Sequence, residues 1–107
     1  MAGTVIHHDI EDLGDGRQTC GTAGTRVALS ATPLMASYLF VTAMTTNTTP
    51  VVIGGSTVVA SSATQQGLPL QPGETVEFAL GNVADVFLDA VTNGEGVVFM
   101  YLRRRNP

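Results

Sequence analysis

The chain is predicted to be all-β, a single small antiparallel β-sandwich or jelly-roll-like barrel with an extended N-terminal arm. Three observations predict this. Short runs of β-branched and aromatic residues recur along the 107 residues. Each run is bounded by glycine, proline or asparagine, and helix-capping signals are almost missing. A chain of this length forms one core and buries roughly 60 to 65% of the surface its unfolded form exposes.

Taken in order, Thr4 to Ile10 reads as a first extended segment, and "EDLGDGRQTCGTAG" reads as a loop because glycines and polar residues dominate it. Together these residues make residues 1–24 an acidic, glycine-punctuated arm outside a sandwich of residues 25–107. In "TRVALS", Val27 and Leu29 alternate with Arg26, Ala28 and Ser30, the pattern of a half-buried strand, which Pro33 then interrupts. "MASYLFVTAMTTN" places Tyr38, Phe40 and Thr42 on one face and Leu39, Val41 and Ala43 on the other. That run reads as a central strand buried on both sides. Leu34 to Met44 also fits a short apolar helix, but β-branched and aromatic content with Thr-rich flanks favours the strand.

Asn47-Thr48-Thr49-Pro50 is a turn signal, and Gly54-Gly55 tolerates the positive φ of a tight hairpin. Val51 to Gly54 and Ser56 to Ser61 are therefore expected to pair with one another. Neither run carries a charge, so an exposed hairpin here would pair with other chains unless something covered it. In "LPLQPGETVEFAL", Pro72 and Gly73 set a type II turn, after which Val76, Phe78 and Leu80 alternate with Thr75, Glu77 and Ala79. "VADVFLDAV" and "GVVFMYLRRR", joined by residues 92–96, read as a final antiparallel hairpin.

Composition narrows the function. Charged residues make up 13% of the chain, about half the usual share. Lysine is absent, and the five basic residues are Arg17, Arg26 and the run Arg103-Arg104-Arg105. So little charge suits either a surface that rests against other protein or one kept soluble by Thr, Ser, Asn and Gln instead of charge. The net charge of -4 argues against nucleic acid, which calls for a basic stripe. No apolar stretch approaches the roughly 20 residues of a membrane helix, and Met1 to Ile10 lacks the basic start and apolar middle of a signal peptide. The expectation is no membrane and synthesis in a cytosol. Cys20 is the single cysteine, so no disulfide forms within the chain.

Candidate chemistry is thin. His7 and His8 are adjacent and in an extended chain point to opposite faces, a poor start for one metal. Asp9, Glu11, Asp12 and Asp15 are acidic neighbours without calcium-loop spacing. Glu74, Glu77, Asp85 and Asp89 read as surface positions on alternating strands, although paired carboxylates can cleave glycosides. Cys20 has no nucleophile signature around it. "GTAG" and "IGGS" precede no helix and read as turns, not phosphate cradles. Arg103, Arg104 and Arg105 read either as a solvated terminus or as a dock for carboxylates. No catalytic residue, cofactor or metal is expected.

From Val27 onward, four pieces occur in order. They are "VALS", then "LFVTAMTTNTTPVVIGG" with an Asn turn leading to a Val-x-Ile-Gly hairpin, then "GLPLQPGETVEF", and finally "VADVFLDAVTNGEGVVFMYL". Over about three-quarters of the chain this order resembles the small β-sandwich proteins of tailed-bacteriophage virions, the capsid decoration or cement proteins and related head accessory proteins. Cupins share the Pro-Gly-Glu turn but place His ligands around it, and here no His follows His8.

The resemblance implies a homo-oligomeric structural protein without enzymatic activity. Such a protein is made in the bacterial host cytoplasm and sits on the capsid surface of the virion. Its implied partners are the major capsid protein and other copies of itself, as clustered or trimeric assemblies. A head-tail connector, tail or fibre-base component is the neighbouring alternative. A carbohydrate-binding sandwich is a further one, disfavoured by the absence of Trp. The expected contact residues are Val5, Ile6, His7, His8 and Ile10 of the arm, Ile53, Gly54 and Gly55 of the hairpin, and Arg103, Arg104 and Arg105.

Overall fold

A computed structural model describes residues 10–79 and 81–104, with side chains from 13 to 79 and from 81 to 103. The protein is a small β-sandwich, as its sequence predicts, and every strand pairing in it is antiparallel. The front sheet runs in the order β1 (Ile10–Cys20), β8 (Glu95–Arg104), β3 (Tyr38–Ala43) and β6 (Thr75–Ala79). The back sheet runs β2 (Val27–Ala28), β7 (Phe87–Ala90), β4 (Val51–Gly54) and β5 (Leu68–Leu70). Apart from the backbone of Ile10, the segment from Thr4 to Ile10 lies outside the described residues, as does Leu80.

The strand reading of 38–43 holds, and β3 is central, between β8 and β6. Leu39, Val41 and Ala43 point inward beside Tyr101, Phe99 and Val97 of β8 and, for the first two, Phe78 and Val76 of β6. They meet Val51, Ile53, Leu70, Leu88 and Ala90 of the back sheet in one core. Burial on both faces is corrected: Tyr38 is exposed, and Phe40 and Thr42 are half-buried. The sandwich has only two layers, so an outer face stays wet unless a loop crosses it.

The largest departure from expectation is β1. The glycine-rich stretch read as a loop is an 11-residue strand. Glycine weakens a strand because it brings no side chain to pack, but here Gly14 lies opposite Tyr101 and Gly16 opposite Phe99. The two rings fill the vacant positions: a Cβ on Gly16 would sit 2.6 Å from Phe99 Cζ, and one on Gly14 would strike the Tyr101 ring. Aromatic cover of this kind restores what the glycines lack. The expected arm of residues 1–24 is thus corrected from Ile10 to Cys20, which form a sheet edge integral to the sandwich.

Two expected hairpins are also corrected. Val58 N donates to Gly55 O at 3.1 Å, so a turn forms, yet the chain after it does not return along β4. That strand pairs instead with β5, through Val51↔Leu70 and Ile53↔Leu68, and with β7. Gly67 (φ +116) brings the chain back in, at a point where a Cβ would lie 2.6 Å from Ile53 O. Likewise β7 and β8 do not pair but belong to opposite sheets. The turn between them is anchored by Gly94 N, which donates to Cys20 O at 2.7 Å. The first part of "VADVFLDAV" is a 3-10 turn, Val83–Asp85, capped by Asn82. The Gln-Pro-Gly-Glu turn closes as expected, with Gly73 at φ +87 and Glu74 N donating to Gln71 O at 2.9 Å.

Candidate interaction surface

Register places three rows of side chains on the outer face of the front sheet. Leu13, Leu102, Tyr38 and Ala79 make the first, Asp15, Met100, Phe40 and Glu77 the second, and Arg17, Val98, Thr42 and Thr75 the third. Leu13 is 59% exposed, Val98 41%, Met100 40% and Tyr38 37%, and Phe40 and Leu102 are half-buried. These six apolar side chains are neighbours on one surface, not scattered singly. Asp15 and Arg17 on β1 and Glu77 on β6 border it, and the Thr42 and Thr75 hydroxyls bond to one another at 2.7 Å. A shallow depression of about 450 Å³ between Asp15, Phe40, Thr42, Val98 and Met100 lies at the centre. An apolar centre with a charged margin is the anatomy of a protein-binding patch.

The outer face of the back sheet is different, because residues 55–66 fold across it. Val52, Val58 and Ala60 form a second buried cluster with Phe87 against it. Two polar contacts hold the cover down and a backbone bridge closes it on itself. Asp89 Oδ2 accepts from Ala60 N at 2.9 Å, Arg26 Nε donates to Val58 O at 2.9 Å, and Val59 and Gln66 exchange backbone bonds at 3.0 Å. Asp89, read from sequence as a surface carboxylate, is 2% exposed.

Cys20 lies beside Asp89 with no exposed surface. Its thiol donates to the carbonyls of Thr22 and Thr25 at 3.1 and 3.4 Å and faces Asp89 Oδ1 at 3.8 Å. Burial, reinforced by the negative charge of Asp89, pushes its pKa up. A thiol in this state is a poor nucleophile.

At the start of β8, Glu95 and Asn47 lock the turn that follows β3. Glu95 accepts from Thr48 Oγ1 at 2.7 Å and from Thr49 Oγ1 and N at 2.6 and 3.1 Å, and also from Thr48 N. Burial alone would raise its pKa, but these four donors outweigh it and hold the carboxylate at about 2. The Asn47 amide pairs with both backbone groups of Gly96, at 2.9 and 3.2 Å.

The contact residues expected from sequence are scattered. Val5, Ile6, His7, His8 and Arg105 lie outside the described residues. Ile10 and Arg104 face one another at the far end of the β1–β8 ladder. Arg103 opposes Asp12 there, and its Nε is buried without a hydrogen-bond partner among the described residues. Ile53 is 1% exposed and belongs to the core, because β4 is an interior strand. Gly54 is half-buried, and Gly55 is exposed at the turn.

Sequence reading missed Leu13, Tyr38, Phe40, Val98 and Met100. Their signal was nevertheless present. "VVFMYL" is apolar at successive positions, and in a two-layer fold a strand apolar on both faces leaves one face wanting cover.

The chain matches no family model, and it matches neither a curated protein nor a solved structure.

Proposed function

We propose that this protein is a non-enzymatic structural component of a tailed-phage virion that decorates the capsid. In this reading it seats the outer face of its front sheet on the major capsid protein and holds neighbouring shell subunits together. The observation that carries the reading is the contiguous apolar face of Leu13, Tyr38, Phe40, Val98, Met100 and Leu102, which no described segment of the chain covers. A ligand that binds the assembled shell but not its separate subunits stabilises the shell by mass action, and many copies do so at many junctions. The low charge of the chain fits a molecule that spends its working life against other protein.

The test is to mix the recombinant chain with undecorated shells and to count its copies in purified particles. Saturable binding in proportion to the major capsid protein is expected. Met100→Asp, placed at the centre of the face, should abolish binding while leaving the circular dichroism spectrum unchanged. Undiminished binding by a folded Met100→Asp variant would refute use of this face, and a handful of copies per particle would refute the shell position.

A further inference from the structure

We infer that β1 is a self-pairing edge, through which two copies of the chain join their front sheets around a twofold axis at Gly16. Among the described residues β1 has β8 as its one strand neighbour and forms an end of the sheet. The carbonyls of Gly96 and Leu102 accept from Met44 N and Ser37 N, on the β3 side, so the even-numbered residues of β8 turn their backbone bonds toward β3. Its odd-numbered residues therefore bond to β1, where Val97, Phe99 and Tyr101 oppose Gln18, Gly16 and Gly14. By the alternation of an antiparallel ladder, Asp15 and Arg17 direct their backbone N–H and C=O groups away from the sheet. An exposed row of this kind is a template for another strand.

Charge selects both the occupant and the register. Asp15 and Arg17 are exposed on the same face, and neither takes a charged partner among the described residues. An antiparallel pair centred on Gly16 sets Asp15 of each copy opposite Arg17 of the other, which makes two ion pairs at positions where the backbones also exchange hydrogen bonds. Centring the pair on residue 15 or 17 would instead bring like charges together, which destabilises a cross-strand pair. At the axis itself, Gly16 meets Gly16 at a position without mutual hydrogen bonds, where strands approach closest. The partner that fits is thus a second copy, and an isologous contact of this kind closes on itself as a dimer. The result is one eight-stranded sheet with the two apolar faces side by side. This inference stands whether or not that face binds a capsid.

The experiment is sedimentation equilibrium of the full chain over a concentration series, with circular dichroism on each variant. The wild type should be a monomer–dimer mixture that shifts toward monomer in salt. Arg17→Asp should weaken dimerisation about tenfold or more, and the double exchange Asp15→Arg with Arg17→Asp should restore it, because the exchanged charges again meet their opposites. Three results would overturn the inference: a wild type that stays monomeric to about 1 mM, a dimer or trimer indifferent to Arg17→Asp, or a folded double variant that stays as weak as the single one. If Arg17→Asp does not fold, Asp15→Arg makes the same comparison.

Discussion

The two outer faces of this sandwich start from similar material and end differently. On the back sheet, Val52 and Phe87 would be as exposed as Val98 and Met100 are on the front, were it not for residues 55–66. That connection crosses the sheet, inserts Val58 and Ala60, and is held by Asp89 and Arg26. Among the described residues nothing comparable crosses the front sheet. A sheet face of this size is covered by its own loop or left bare, and among the described residues this protein does one of each.

The sharpest way to break the comparison is to place the same charge on both faces. Val52→Asp buries an unpaired carboxylate beneath the 55–66 cover and should cost about 3 to 5 kcal/mol of unfolding free energy, read by urea denaturation. Val98→Asp on the front sheet should cost no more than about 1 kcal/mol, because the position already meets water. Equal losses would mean that the front face is buried too.

An intermediate effect is expected where the front sheet is tied to its turn. Glu95→Gln replaces a carboxylate with four donors by an amide that cannot serve them all, and should cost about 2 kcal/mol near neutral pH. The folded pKa of Glu95 lies at about 2, below its ordinary 4.5. The stabilisation is therefore complete above about pH 4.5 and is lost as pH falls toward 2. The gap between wild type and variant should close over that interval, and a gap that persisted at pH 2 would contradict the assignment.

The smallest effect concerns Cys20 beside the cover. Burial and the neighbouring Asp89 both favour the neutral thiol, so alkylation of the native protein at pH 8 should be negligible beside that of the urea-unfolded chain. Rapid native alkylation would show that the cover opens readily.

Much of this architecture was legible in local pattern. Alternation at Val76 and Phe78, the Pro72-Gly73 turn and the β-branched run at 38–43 each place a strand or a turn correctly, because period and φ preference act between near neighbours in the chain. Pairing partners were not legible. Val51 to Gly54 looks like half of a hairpin with the residues that follow it, but its backbone bonds are taken by Leu68–Leu70 and Phe87–Ala90. Gly14 and Gly16 read as breakers because the rings that complete them belong to a strand at the other end of the sequence.

What the sequence determined by itself was an all-β chain of low charge, since composition and periodicity are properties of the residues alone. The tertiary structure decided which strands share a sheet, which carboxylates are buried and which apolar face stays bare. Those outcomes depend on contacts between residues far apart in the chain, and a one-residue change of register would have turned every side chain of a strand to the other side.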